Sequence, residues 1–457
     1  MVFHRRRPSN RLAKNILKQP TNQSNVRPLS RLIFELRRLG PGFVYALTVL
    51  GTGDLVSHSA AGAGYGYALL WAIPMTLIFR FVWISVSAKY VLVTGETLLE
   101  GYARLGRGML WIILVSIIVI GHLDIMTQIV MTGRGADLLF HLPTEWSTTI
   151  WSISFTLLGF TMVFWGGYPI IETFCKVLIA IMGVSLVVVA IISRPDPAQI
   201  LQGTLVPTIP GNEGIYSSFF IVMALIGTGA GSTSNLTYSY FIREKGWKNV
   251  SFLGRQRLDL IFGLACMFVM GSLLQIAAAA TVHPMGVQLE DASDLVRIFS
   301  ETQGAVGGII FGLGLWGAAF STLVGIITGY ALVVTDISRF LFPSIGKHSA
   351  TEKSQQTANR HPVYRVFVAF LAFSPLYIVF TGVKPIWLVL VVNALFAVLI
   401  PVLTPALLII TNKKSLMGQY KNGWLTNTIL GVLVAVAIFL TWENRGALVD
   451  LLSSYIA

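Results

Sequence analysis

Charge is scarce in this sequence. Asp and Glu number 20 and Lys and Arg 33 in 457 residues, so charged side chains make up 12% of the chain against 54% hydrophobic. Soluble domains carry about twice that charge, and a mean hydropathy of +0.72 excludes an ordinary globular protein. Cysteine is almost absent. Cys175 and Cys266 both lie in apolar segments, which excludes a disulfide framework and leaves them as expected core residues. No Gly-rich loop ending in Lys-Ser/Thr occurs, and no polar stretch is long enough to fold a nucleotide-hydrolysing domain, so an ATP-driven pump is excluded. The run Gly62-Ala63-Gly64-Tyr65-Gly66 has no strand before it and reads as turn chemistry between two spans rather than a dinucleotide fingerprint. With no cofactor motif and no catalytic constellation, an enzyme is not expected. A signal peptide is also missing, since the first forty residues are polar and basic without a short apolar core, and the first span becomes the expected signal anchor.

What the chain does have is long apolar runs. Crossing ~30 Å of hydrocarbon takes about twenty residues, and such runs recur at 43–66, 68–92, 109–135, 149–166, 171–193, 216–241, 258–281, 305–335, 364–381, 386–411 and 424–442. The pattern predicts an all-α integral membrane protein with eleven transmembrane helices in one domain, residues 41–457. A basic tail, residues 1–40, precedes it. That tail holds ten Lys and Arg against the single acid Glu35, so it supplies +9 of the net charge of +13. Directly before a span, such a tail is read as cytoplasmic retention by the positive-inside rule rather than as a nucleic-acid site. The loops agree: 243–257 and 339–365 each carry five Lys and Arg, while 282–301 holds Glu290, Asp291, Asp294 and Glu301 against Arg297. The expected orientation is N-terminus cytoplasmic and C-terminus outside, in the plasma membrane, with the polar 342–362 segment a cytoplasmic connection.

The tripeptide Gly-Thr-Gly occurs twice, at Gly51-Thr52-Gly53 and Gly227-Thr228-Gly229, each inside an apolar run. Mid-membrane glycines let a helix open, and unpaired backbone groups at that depth are tolerated only around a cavity or solute. The plainer reading is that small residues let helices pack closely. Spans one to five and six to ten each open with this feature and, because five is odd, run with opposite polarity. The result is an inverted repeat, 41–193 and 216–411, with 424–442 outside it, the plan by which secondary transporters hold substrate at the midplane.

Ionisable groups within spans are costly and serve as functional candidates. Asp54 follows the first break and His58 lies one turn on; Asp54 either binds or couples a cation, or caps the half-helix that starts there. In span three Asp124 and Gln128 share a face, with His122 pointing elsewhere, and form the expected coupling route with Asp54 and His58. Arg134, Arg80 and Glu172 are further candidates, Arg80 and Glu172 for a buried lock between elements as readily as for substrate contact. The second break, Gly227-Thr228-Gly229-Ala230-Gly231-Ser232-Thr233-Ser234-Asn235, offers hydroxyls, backbone and one amide but no charge or sulfur. Such a lining suits a hard cation, or an anion on amide N–H groups, and not a soft transition metal.

The chain resembles the natural resistance-associated macrophage protein (Nramp) family of proton-coupled carriers of manganese, iron and similar metals. The likeness rests on Gly40-Pro41-Gly42-Phe43, on Ala60-Ala61-Gly62 through Gly66-Tyr67 to Leu70-Trp71, on Val93-Thr94-Gly95 with Leu98, and on Glu172. It implies a LeuT-type fold of two inverted five-helix repeats plus an eleventh helix, with helices one and six broken. The departures fall on the family's metal ligands. Its first break reads Asp-Pro-Gly-Asn, where this chain has Gly51-Thr52-Gly53-Asp54; its second carries Met-Pro-His before Asn-Leu, where Ser232-Thr233-Ser234 precede Asn235-Leu236 here. The expectation is a divergent branch in which substrate meets Gly51, Thr52, Gly53, Asp54, Gly227, Thr228, Gly229, Gly231, Ser232, Ser234 and Asn235. A divalent metal, Mg²⁺ before Mn²⁺ or Fe²⁺, would sit on Asp54 and Asn235. The competing expectation is a small anion, carboxylate or bicarbonate, moved with H⁺ or Na⁺. The partners expected are that inorganic ion or small solute and the lipid bilayer.

Overall fold

Hydrocarbon offers no hydrogen bonds, so each apolar run must satisfy its own backbone, and the chain folds as helices. The computed structural model describes residues 51–165, 181–211, 215–287, 289–342 and 361–449. The basic tail, the Gly40–Phe43 motif, Glu172, Cys175 and the 343–360 connection lie outside the described residues. Nine helices among those described are long and apolar enough to span a bilayer, or ten if one bent pair is a single span. They are α2 (Ala72–Thr94), α3 (Arg107–Leu139), α4 (Ser147–Trp165), α6 (Ser218–Tyr240), α7 (Val250–Thr281), α8 (Ala292–Leu341), α9 (Pro362–Phe380), α10 (Pro385–Asn412) and α11 (Trp424–Glu443). Between them α1 (Thr52–Tyr65) and α5 (Ile181–Ile192) take the places of spans one and five, and α5 turns through 118° into a short helix, Pro197–Leu205.

The helices sort into two packed groups. α1 lies against α7 and α6, and α2 against α7 and α6; α3 lies against α8 and α4, and α9 against α8, α4 and α3. α10 touches members of both groups, with α11 beside it. Members one and six, two and seven, three and eight, and four and nine therefore occupy matching roles, as an inverted repeat requires. Burial follows the same plan: α6 is 94% buried over its most apolar stretch and α11 only 22%. α11 shows Ile438 and Phe439, and α5 shows Val184 and Ile191, as outward apolar surface fit for lipid.

Two boundaries differ from the sequence reading. The run from Gly62 to Tyr65 is the last turn of α1 and only Gly66 (φ +54°) belongs to the turn; Gly62 is small because a Cβ there would sit 2.3 Å from the Gln275 carbonyl oxygen on α7. α8 also begins before its apolar run, at Ala292, and bends at Gly304 (φ +61°), a backbone state that favours glycine.

Candidate functional site

At Gly51-Thr52-Gly53, the first break expected from the sequence, the described residues show a helix start. Gly51 is extended (φ −95°, ψ −169°) and precedes α1 as its N-cap without a capping side chain, so the first-turn amides of α1 lie at this end of the helix. Asp54 is not the cap that one reading proposed; it is the third residue of α1. The second break falls later than its Gly-Thr-Gly. α6 runs as an α-helix to Ile226, widens to a π-helical turn over Gly227–Gly231, leaves helical geometry at Ser232 (ψ 130°), then re-forms as a 3₁₀ turn, Thr233–Thr237. The carbonyls of the last turn before Ser232 need partners from outside the helix.

The glycines serve close packing. A Cβ on Gly227 would lie 1.8 Å from the Asn393 carbonyl oxygen, on Gly231 2.2 Å from that of Phe396, and on Gly229 1.9 Å from Thr76. Gly53 faces Asn393 and Thr228, and Gly51 faces Thr322. Both breaks are thus pressed together and onto α10, α2 and α8.

Arg80 of α2 sits at their meeting point. It is 1% exposed, donates from Nε to the Gly229 carbonyl (2.6 Å) and from Nη2 to the Thr228 carbonyl (2.5 Å), and faces Met267 Sδ with Nη1 (3.3 Å). The same Nη1 lies 3.7 Å from Asp54 Oδ2. Asp54 Oδ1 accepts a long bond from the Thr228 hydroxyl (3.3 Å), while Oδ2 is buried with no hydrogen bond. The guanidinium fork suits two carbonyls at once, and the C-terminal end of a helix favours a cation. Asn393 of α10 completes this side, its amide donating to the Gly53 carbonyl (3.1 Å) and the Ser57 hydroxyl (2.9 Å).

A second buried chain joins the breaks by another route. Thr52 donates to Gln128 Oε1 (2.6 Å), Gln128 Nε2 to Asp124 Oδ1 (3.2 Å), Tyr330 of α8 to Asp124 Oδ2 (2.8 Å), and Thr233 to the Tyr330 hydroxyl (2.7 Å). Every link is buried, and Asp124 is its one carboxylate.

Of the predicted residues, Asp54 and Thr228 meet directly, and Thr52, Gln128 and Asp124 form one chain. His58 does not bond Asp54: it packs on Gly271 of α7 and its Nδ1 is without a hydrogen bond. Asn235 turns its amide to the Ala230 carbonyl of its own break (3.3 Å), which braces the loop. Ser232 is buried, and the Ser234 side chain lies outside what is described. His122 faces Ser374 of α9, away from Asp124 as its position implied, and Arg134 pairs with Asp291 (3.2 Å). Sequence reasoning missed Asn393, Tyr330 and the sulfur of Met267. A lone Asn within the apolar run of α10 was a visible signal, whereas Tyr330 and Met267 look like ordinary core.

Away from the breaks, charged groups pair near the ends of α2 and α8. Arg243, which follows Asn235 by two turns, donates to the Gly95 carbonyl (2.5 Å) and Glu100 (2.9 Å), and Tyr240 donates to Asp336 (2.6 Å). Beside them Arg104 pairs with Glu96 and holds that carboxyl below its ordinary range. No group of three or more His, Cys, Asp or Glu that could hold a metal ion occurs among the described residues.

The Natural resistance-associated macrophage protein-like family model matches residues 42–443. The chain is 27% identical over 418 residues to the metal transporter nramp1 homolog of Dictyostelium discoideum, covering 88% of this chain and 74% of that one. With the divalent metal cation transporter MntH of Bacillus subtilis it shares 24% over 409 residues, 88% of this chain and 89% of the relative. In fold it matches the manganese transporter of Eremococcus coleocola (TM-score 0.66, 17% identity, 92% and 88% covered) and the nucleobase-cation symporter Mhp1 (TM-score 0.54, 13% identity, 89% and 93% covered). The break in α6, the matching helix contacts and these likenesses agree: the fold is LeuT-type, and the chain belongs to the Nramp family of membrane transporters.

Proposed function

We propose that this protein is a secondary active transporter that carries a divalent metal ion by alternating access, with Asp54 as its acidic ligand. The observation that carries the reading is Asp54 itself: a buried carboxylate bonded by the Thr228 hydroxyl and facing Arg80, which holds the Thr228 and Gly229 carbonyls, with Oδ2 free of hydrogen bonds. Both metal-transporter relatives support it. The side chains of the breaks offer only oxygen and amide, which favours a hard ion such as Mg²⁺, while the thioether of Met267 on α7, which faces Arg80, is a softer donor that suits Mn²⁺ or Fe²⁺. Coupling to H⁺ or Na⁺ would run through Asp124, the one carboxylate on the chain from Thr52 to Thr233. The charge asymmetry of the loops supports a cytoplasmic N-terminus and an external C-terminus, and the plasma membrane is the default setting for such a carrier.

A second reading has its own observation. Arg80 already neutralises Asp54, and the uncapped first turn of α1 presents amides, so a small carboxylate or bicarbonate is the alternative substrate. Flux into proteoliposomes decides between them. Wild type should show saturable Mg²⁺ or Mn²⁺ entry driven by a proton or sodium gradient, whereas anion entry without metal flux would overturn the metal reading.

Tyr330→Phe removes the donor to Asp124 and the acceptor of Thr233 at once. Leaving a buried carboxylate oxygen unpaired costs about 1–3 kcal/mol. We expect the pH profile of uptake to move while substrate binding changes by less than about threefold, about 0.6 kcal/mol; an unchanged profile would remove Asp124 from the coupling route.

A further inference from the structure

Arg80 stands where the oxygens of both breaks converge, and a buried charge is kept only when it is paired and hydrogen-bonded. Here the pairing is shared among the last carbonyls of the first half of α6, the Asp54 carboxylate and a thioether, Met267 Sδ. A carboxylate, two carbonyls and a sulfur around one point form a cation-binding set, and the cation in it belongs to the protein. The Gly229 and Thr228 carbonyls each give one lone pair to Nε and Nη2, and the guanidinium charge beside them opposes a second cation. Two features fix the guanidinium there: a Cβ on Gly229 would meet Thr76, one turn before Arg80 on α2, so α2 and α6 touch at this level; and Arg80 is almost fully enclosed.

We propose that Arg80 is a tethered stand-in for the transported cation, a specificity-determining residue that holds Asp54 and the carbonyls of Thr228 and Gly229 until a metal ion displaces it. The proposal rests on the reading that the two breaks form the substrate site. Its consequence is selection by charge. A monovalent ion replaces one unit charge by another, loses the fork geometry and gains nothing, whereas a divalent ion brings twice the charge to the same oxygens. The displaced guanidinium remains covalently close, so affinity in wild type is held low and release is favoured. The balance is one of exchange: one side-chain cation leaves the oxygens and one metal ion takes them, with no bond made or broken covalently.

The test is Mn²⁺ and Mg²⁺ binding to purified full-length protein by calorimetry, with the melting temperature read against metal concentration. Arg80→Leu frees the oxygens without adding a ligand, Arg80→Lys keeps the charge but loses the fork, and Arg80→Leu with Asp54→Asn removes both charges. Arg80→Leu should bind at least one divalent ion tenfold or more tighter than wild type and be stabilised by it. Arg80→Lys should gain less, and the double variant should lose the gain. If Arg80→Leu does not fold without metal, Arg80→Gln, whose amide can hold one carbonyl, is read in its place with the same expected direction. Folded variants that bind metal no tighter than an Asp54-dependent wild type overturn the role of Arg80 and leave the metal-carrier reading standing. Absence of Asp54-dependent binding in wild type, Arg80→Leu and Arg80→Lys overturns the two together.

Discussion

Asp54→Asn is expected to abolish uptake of the carried ion, by a hundredfold or more, and to destabilise the protein in detergent. Two effects add. The substitution removes the carboxylate that lies between the breaks, and it leaves Arg80 buried with only carbonyls and a thioether around it. Removing one member of a buried ion pair costs about 3–5 kcal/mol, because the remaining charge stays uncompensated. Stability and transport can be separated by a second change. Asp54→Asn combined with Arg80→Gln should recover much of the melting temperature and none of the flux, since the charge imbalance is gone while the carboxylate is still missing. Recovery of flux in the double variant would show that Asp54 serves only to balance Arg80, and would end its role as a ligand.

Gly227→Ala is expected to be nearly as severe for a different reason. The added methyl would begin 1.8 Å from the Asn393 carbonyl oxygen, which is main chain within α10 and cannot rotate away. Overpacking usually costs about 1–3 kcal/mol, and more where only a shift of whole helices can relieve it. α6 would have to move off α10, and Asn393 would be drawn from Gly53 and Ser57, so the damage reaches α1. The expected result is a loss of several degrees in melting temperature together with loss of flux. Gly431→Ala on the peripheral helix α11, where a Cβ meets nothing within 4 Å, should change neither and serves as the control. A Gly227→Ala protein with wild-type melting and flux would mean that the breaks are looser than this packing.

Sequence and structure part company at particular residues. The two Gly-Thr-Gly runs pointed to the right helices, because glycine within an apolar run signals either opening or close approach. They could not say which. In α6 the glycines are the packing surface, and the opening comes after them at Ser232, where a serine in an otherwise small polar run carried no separate mark. Asp54 and Asp124 stood out because a carboxylate in an apolar run is costly wherever it lies. Arg80 stood out for the same reason, yet its role depended on carbonyls 148 and 149 residues away. His58 shares a helix face with Asp54 and still turns to Gly271, because a face one turn long borders more than one neighbour.

The sequence by itself determined the membrane and the glycine-interrupted runs, and its motifs the family; it predicted eleven spans, where nine helices, or ten with one bent pair, are long and apolar enough among the described residues. The membrane and its spans follow from composition and spacing, since lipid forces every span to satisfy its own backbone and to be about twenty residues long, whereas the family is read from motifs. Only the tertiary structure decided how the charges are shared: that Arg80 takes the carbonyls of the second break beside Asp54, that Gln128, Asp124 and Tyr330 bridge Thr52 to Thr233, and that Asn235 braces its own loop. Those pairings arise between helices far apart in the chain, and in a medium without water a buried polar group goes to whichever partner the packing brings within reach.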